Sequence, residues 1–362
     1  MELVHKQVFT ALAVCTCLFV VASNFLYLLL LAEYRHLRAH TNAFMLHLAA
    51  CDLALGLVGL IGLPLASAHQ AGLLGDEACR AATFVLVQLQ VMAVHSITWL
   101  SIGRFLEIRL SLTHTQVLTP ARSGLALAAV WTYAALIAGL PFAGLGRYGY
   151  NANAGMCTPL FEDGGARASD SPYSGVRRSN GEGGGLPFVR QEGSGAYCSL
   201  ALGGGVAAPI AVLCGMYAYV VHAACKQAKR GTFVCDEENC RYVPANRYLK
   251  CTVMLITAVA TLLTCWLPHM TISFYISFTG KPAPWTAQAI ASWMLSLPSA
   301  LNPWANSLSQ RKFRKAMTQR WKRWPCCARD SSGERAERDK GGHGEPSPQP
   351  SAGQHSLPTT VE

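Results

Sequence analysis

The sequence predicts an all-α membrane protein, a seven-transmembrane helix bundle with an amphipathic interfacial eighth helix. Three observations support this fold class. The chain of 362 residues is 51% hydrophobic and only 14% charged, whereas soluble domains carry about 25% charged residues. Its apolar residues fall in blocks that match or exceed the roughly 20 residues with which a helix crosses a bilayer. A basic, amphipathic stretch follows the last block.

Seven blocks qualify as membrane-spanning helices. Five blocks, residues 8–32, 123–146, 197–225, 251–280 and 282–310, contain no Asp, Glu, Lys or Arg. The other two, residues 42–67 and 81–102, contain Asp52 and His95 respectively. We predict spans at residues 8–32, 42–67, 79–106, 123–146, 197–225, 246–278 and 285–308. The first block is longer than the apolar core of a signal peptide, so we expect it to be retained as a helix.

Lys and Arg near the span ends predict the orientation. They cluster in the first, third and fifth connections and after the seventh span, and few, such as Arg80 and Lys281, lie on the other side. We therefore expect a plasma-membrane protein with residues 1–7 outside and the C-terminus in the cytoplasm. The net charge of +10 follows from this bias toward an anionic leaflet, so nucleic acid is not an expected partner.

The fourth connection, residues 147–196, is long and rich in Gly, Ser, Asp and Arg. We predict a partly disordered extracellular loop there. The Pro-, Gly- and Ser-rich residues 325–362 are expected to form a disordered cytoplasmic tail.

The eighth helix is predicted at residues 309–324. Phe313, Met317, Trp321 and Trp324 recur at helical spacing opposite Lys and Arg, a pattern typical of a helix lying on membrane lipids. The following pair, Cys326–Cys327, is a candidate for S-palmitoylation. Two reduced cytosolic thiols are the alternative.

Polar side chains inside a bilayer are costly, so each needs a partner or a role. Asn24, Asp52 and Asn302 lie in the first, second and seventh spans. In these residues the chain resembles the rhodopsin-like (class A) G protein-coupled receptors, which have one such acid or amide in each of these helices. The resemblance covers roughly residues 8–324, without the fourth connection.

The resemblance continues along the other spans. Cys79 and Arg104 stand at the family's spacing in the third span. Further landmarks are Trp131 in the fourth span, Pro209 and Tyr217 in the fifth, Cys265-Trp266-Leu267-Pro268 in the sixth and Asn302-Pro303-Trp304-Ala305-Asn306 in the seventh. Each motif alone is weak, but their order on the right spans makes the resemblance specific.

The resemblance implies a receptor, not an enzyme, that activates heterotrimeric G proteins by outward movement of the sixth helix. Pro268 would kink that helix, because proline removes a backbone hydrogen bond. The implied activation residues are Asn24, Asp52, Arg104, Tyr217, Trp266, Pro268, Asn302, Pro303 and Asn306. The implied G-protein contacts are Arg104, Leu112 and Tyr248. Arrestin and a receptor kinase are implied partners of the tail, and no cofactor is expected.

The resemblance also implies that Cys79 forms a disulfide with a cysteine of the fourth connection. Cys157 and Cys198 are the candidates. We favour Cys157, because Cys198 lies close before Pro209 and is expected within the fifth helix.

The family's ligand pocket can be placed on this chain. It would be lined by Leu86, Val87, Gln90, Ala201, Gly205, Trp266, His269, Met270, Ser292 and Ser296. Amine receptors have an Asp at the position of Leu86, and opsins have a retinal-binding Lys at the position of Ser296. We therefore expect a neutral small molecule or a lipid-like ligand, or no ligand at all, and neither a biogenic amine nor retinal.

Several departures from the family pattern bear on activity. Gly103 replaces the acid that pairs with Arg104, and Tyr248 stands where many members place a second acid, which predicts raised basal activity. Asn306 replaces the Tyr that faces Tyr217 in active receptors, which argues the other way.

The family's sodium site is weakened as well. Ala93 and Pro298 stand where its ligands are common, so no metal is expected.

Three alternatives remain open. A transporter or channel is disfavoured, because no acid or Lys lies in the membrane-buried parts of the third to seventh spans to carry protons or ions. A membrane enzyme lacks a visible His-rich metal cluster or nucleophile–base pair. A degenerate receptor that acts only by trafficking or dimerisation is consistent with Gly103 and Asn306.

Overall fold

The structure is a computed structural model in which eleven parts of the chain are described. These are residues 2–34, 37, 43–70, 75–109, 118–151, 155–161, 194–228, 233–236, 239–242, 245–308 and 311–322. The chain divides into two compact units, residues 1–313 and 314–362. The first unit contains the helix bundle, and the second is described from residue 314 to residue 322, where it is helical.

Eight helices follow one another along the described chain. They are α1 (Glu2–Glu33), α2 (Ala43–Gln70), α3 (Asp76–Arg109), α4 (Pro120–Gly139), α5 (Ser194–Cys198, the π-helical Ser199–Ala207 and Ala208–Ala228), α6 (Ala245–Thr279), α7 (Trp285–Met294 and Leu297–Leu308) and α8 (Arg311–Lys322). Helices α1 to α7 pack side by side around a buried apolar core, so the predicted seven-helix bundle is confirmed.

Six of the seven bundle helices are long and apolar enough to cross a membrane. The exception is α7, which was predicted as one continuous span but is interrupted at Leu295 and Ser296. Pro298 explains the interruption, because a proline lacks the N–H for the helical hydrogen bond and its ring clashes with the carbonyl four residues earlier. The Ser296 hydroxyl instead donates to the Trp293 carbonyl at 2.6 Å.

The fourth connection contains a β-hairpin that was not predicted. Strands β1 (Arg147–Asn151) and β2 (Met156–Leu160) pair antiparallel, with Tyr150 opposite Cys157. Residues 162–193, where disorder is expected, lie outside the described residues. A second hairpin, β3 (Phe233–Asp236) and β4 (Asn239–Tyr242), lies in the fifth connection.

The ends of the chain differ in detail from the predicted boundaries. Helix α1 already begins at Glu2, so residues 2–7 are helical rather than a separate N-terminal segment. Phe313 of α8 is buried and stacks on Tyr27 of α1, with ring centroids 4.9 Å apart. Trp324, the Cys326–Cys327 pair and the tail lie outside the described residues.

Candidate functional site

A cavity of about 350 Å³ opens at the hairpin end of the bundle, between α1, α2, α3, α5, α6 and α7. Residues of β1 and β2 cover it, and the buried Trp266 lies at its inner end. Eight of the ten predicted pocket residues line it: Leu86, Val87, Gln90, Ala201, Trp266, His269, Ser292 and Ser296. Its described lining contains no Asp, Glu, Lys or Arg.

Gly205 and Met270 are the two predicted pocket residues that do not line the cavity. Gly205 lies in the π-helical part of α5, where a Cβ would come within 3.3 Å of the Val91 side chain. The wider π turn changes the angular spacing of the side chains, and Leu202 and Val206 face the cavity instead. Met270 packs against the apolar core.

The hairpin is fixed over the cavity by a disulfide. Cys79 at the start of α3 is bonded to Cys157 of β2, which confirms the favoured pairing. Cys198, the alternative partner, is a buried cysteine of α5 outside any disulfide.

A tyrosine pair also holds the hairpin in place. The Tyr148 hydroxyl donates to the Ala138 carbonyl at 2.9 Å, so the Tyr197 hydroxyl, 3.0 Å away, donates to the Tyr148 oxygen. Burial raises the pKa of Tyr148 to about 12. Gly146 has a φ of +84°, and a Cβ there would lie 2.6 Å from the Tyr197 ring, so only glycine fits beside this pair.

Asp52 links α2 to α7 in the centre of the bundle. Ser299 Oγ donates to one carboxylate oxygen at 2.8 Å, and Asn302 Nδ2 donates to the other at 2.9 Å. Asn24 Nδ2 donates to the Ser299 carbonyl at 3.0 Å, which brings α1 into the network. The structure thus places three predicted activation residues together and adds Ser299, one helical turn before Asn302.

Fewer contacts are described at the other end of α3. Arg104 is half-buried, and no ion pair joins it to another described side chain. Its neighbour Phe105 makes an edge-to-face contact with Tyr219 of α5, with centroids 5.4 Å apart. Tyr217 is half-buried against the core. Leu112 and the side chains of Tyr248 and Asn306 lie outside the described residues.

Comparison with known proteins decides the family. The family model for seven-transmembrane receptors of the rhodopsin family matches residues 23–174 and 188–305. The chain belongs to this family. The receptor is therefore a multi-pass membrane protein of a class that signals through G proteins and is not an enzyme class.

Individual relatives of the receptor are distant. The rat (Rattus norvegicus) histamine H2 receptor is 25% identical over 83% of this chain and 76% of its own length. The mouse (Mus musculus) adenosine receptor A2b is 25% identical over 91% of this chain and 94% of its own. A GQ-coupled rhodopsin of Mizuhopecten yessoensis is 24% identical over 82% of this chain and 55% of its own.

Sequence reasoning missed two parts of this receptor's cavity. The hairpin residues could have been found, because alternating aromatic residues in Arg147–Asn151 precede an Asn- and Gly-rich turn, which is a hairpin signal. The contribution of α1 and α2, including Ala13, Cys17, Gly59 and Gly62, extends the cavity beyond the predicted pocket. The three-residue spacing of Gly56, Gly59 and Gly62 was the available signal for it.

Proposed function

We propose that the receptor transmits an extracellular or membrane-derived signal to heterotrimeric G proteins by outward movement of α6. The observation that carries this proposal is the contact of the cavity with Trp266, two residues before Pro268 in α6. A ligand in the cavity would press on α6 beside the residue at which a helix bends most easily. The binding free energy of that contact could then shift α6 between two positions.

The hairpin end is the extracellular end in this proposal. The Cys79–Cys157 disulfide lies there, and disulfides persist in oxidising compartments. The receptor would then lie in the plasma membrane, with its basic connections facing the cytoplasm. The tail would offer sites for a receptor kinase and arrestin, and Cys326–Cys327 sites for palmitoylation.

The proposed ligand is neutral or lipid-like. The described cavity lining has no charged side chain, and Leu86 lies where an ammonium group would need a carboxylate. An ion without a partner of opposite charge would lose its hydration there at high cost. Gln90 and His269 remain as hydrogen-bonding groups for a neutral head.

Raised basal activity is part of the proposal, because Gly103 offers Arg104 no carboxylate. The test is basal cyclic AMP and inositol phosphate output against surface expression, for wild type, Gly103→Asp, Gly103→Asn and Arg104→Ala. We expect output to rise with wild-type expression, to fall with Gly103→Asp and to disappear with Arg104→Ala.

Gly103→Asn is the matched control, since it has the shape of Asp without its charge. If it lowers output as much as Gly103→Asp, the effect comes from replacing glycine and not from pairing with Arg104. Flat output from all four proteins at equal surface expression would refute basal activity.

A second candidate, a receptor that acts by trafficking or dimerisation without G-protein activation, is favoured by Asn306 in place of the family's Tyr. Asn306→Tyr distinguishes the two. If wild type is silent and Asn306→Tyr gains output, the natural chain has lost signalling. A transporter or channel has less support, since no charged side chain lines the described cavity.

A further inference from the structure

The cavity has an arm that lies outside the predicted pocket. Its walls are small, apolar or uncharged residues of three helices, Ala13 and Cys17 of α1, Gly59 and Gly62 of α2, and Ala289 of α7. We call these five residues the α1–α2 arm. Gln90 of α3 and His269 of α6 line the same cavity.

Two features of the helices create the arm. At Gly59 the helices are tightly packed, because a Cβ there would lie 2.7 Å from Cys17 Sγ, but one turn further a Cβ on Gly62 would meet nothing within 4 Å. Helix α1 also packs closely along Leu297–Leu308 of α7 and much less along Trp285–Met294. The interruption of α7 between these two segments lets the second half of the helix follow α1 while the first half diverges.

The wall between α1 and the first half of α7 includes aromatic contacts. Phe9 meets Trp285 edge to face, with centroids 6.0 Å apart, and Trp293 Nε1 donates to Thr16 Oγ1 at 3.0 Å. Phe9 and Trp285 both line the cavity. The cavity therefore extends to the place where α1 and the first half of α7 meet.

We infer that the α1–α2 arm holds the hydrocarbon chain of a neutral single-chain lipid whose polar head bonds to Gln90 and His269. This inference rests on the ligand class proposed above and specifies it. The arm has no charged group, so it suits a hydrocarbon chain. The described lining of the whole cavity has no charged side chain either, so the cavity suits a lipid with an uncharged head. A volume of about 350 Å³ is at the small end for ligand cavities, roughly 300–1,000 Å³, which favours one chain over two.

The experiment measures thermal unfolding of the purified full-length receptor with monoacylglycerols of increasing chain length. In wild type, we expect the unfolding midpoint to rise with chain length, because each added methylene buries apolar surface. Gly62→Leu should fill the arm without a clash. The unfolding midpoint of this variant should stop rising at a shorter hydrocarbon chain than in wild type. Its affinity for longer lipids should be lower than that of wild type by about fourfold for each methylene that no longer fits in the arm.

Ile61→Phe is the matched control, because Ile61 is 64% exposed on the outer side of the same turn. It adds bulk outside the arm and should behave as wild type. Ala13→Leu fills the arm from the opposite helix, α1. If Gly62→Leu does not fold, the chain-length dependence of Ala13→Leu tests whether the arm holds the hydrocarbon chain. Fatty acids of the same chain lengths carry a charged carboxylate head instead of an uncharged one. They should therefore raise the unfolding midpoint of wild type less than the monoacylglycerols do.

The inference is overturned if both arm variants keep the wild-type dependence on chain length, if no monoacylglycerol stabilises wild type, or if fatty acids stabilise equally. None of these measurements involves a G protein. A receptor without basal output that still shows the chain-length effect would therefore refute raised basal activity and leave the arm intact.

Discussion

The two ends of α3 are held very differently. At the hairpin end, Cys79 is covalently bonded to β2, and Arg80 lies over the Phe142 ring at 5.4 Å from its centroid. At the other end, Arg104 has no ion pair with a described side chain, and Phe105 touches Tyr219 by one ring edge. Among the described residues, the same helix therefore has a covalent link at one end and only non-covalent contacts at the other.

This difference fits the proposed function, in which a ligand binds at one end of the bundle and the helices move at the other. A fixed hairpin keeps the geometry of the cavity constant, so contacts with a ligand are made by groups already in place. Regions that move in signalling come from the less stable parts of a structure. If the Arg104 end is held only by such non-covalent contacts, it needs little free energy to change its position, and the following predictions test this contrast.

The largest effect is expected at the hairpin end. Replacing both Cys79 and Cys157 by Ser frees a chain segment with a sequence separation of 78 residues. Loss of a native disulfide typically costs about 2–5 kcal/mol, which denaturant unfolding of the purified receptor would measure. Cys15→Ser is the control, because Cys15 is exposed and outside any disulfide. If both proteins unfold alike, the disulfide is not what fixes this end.

The next largest loss of stability is expected at the middle of α3, when His47 of α2 is replaced. The Trp131 indole, which can only donate, donates to His47 Nε2 at 2.9 Å. His47 Nδ1 must then donate to Ser96 Oγ, 2.8 Å away. His47→Leu removes both bonds, and membrane hydrogen bonds are worth about 0.6 kcal/mol on average and up to about 1.7. We expect a loss of about 1–2 kcal/mol in unfolding free energy.

A double-mutant cycle checks that His47 acts through these partners. Trp131→Phe alone should cost less than His47→Leu, and it should cost almost nothing when His47 is already Leu. Additive losses would mean that the two side chains stabilise the receptor independently.

The tyrosine pair gives a smaller effect that depends on pH. Tyr148→Phe removes the bond to the Ala138 carbonyl and should cost about 1 kcal/mol. The folded receptor holds the Tyr148 proton more tightly, because burial raises the pKa of this hydroxyl from its ordinary value of 10.0 to about 12. This contribution is complete below pH 10 and is lost as the pH rises toward 12.

The measurement is unfolding free energy from pH 8 to pH 12 for wild type and Tyr148→Phe. The difference between the two proteins should shrink above pH 10. A difference that stays constant over this range would show that Tyr148 titrates in the folded receptor as it does in the unfolded chain.

Much of the fold could be predicted because a bilayer restricts polar residues so strongly. Asn24, Asp52 and Asn302 stood out in apolar spans, and they meet in the structure around Ser299. The presence of six long apolar helices followed from apolar blocks of sufficient length. The break in α7 was missed because the block is uncharged throughout, although Pro298 marked the place.

The cavity was only partly predictable. Leu86, Gln90 and Trp266 were found from their spacing to family landmarks, which assumes regular helices. That assumption fails at Gly205, where α5 is π-helical. The arm at Gly62 depends on how far α1 diverges from α7, which no pattern within a single helix specifies.

The smallest change in stability is expected at the Arg104 end, and it should be accompanied by a change in signalling. Phe105→Leu removes the edge contact with Tyr219, which is itself 41% exposed, so the unfolding free energy should fall by less than about 1 kcal/mol. Basal output should rise, because this contact joins α3 to α5 beside Arg104. Phe142→Leu makes the same change at the hairpin end, where Phe142 contacts Phe84 and Tyr148, and should cost more stability without raising output. If Phe105→Leu is the more destabilising of the two, the Arg104 end is not the weakly held end of α3, and the absence of an acid at Gly103 must be compensated by contacts of another kind.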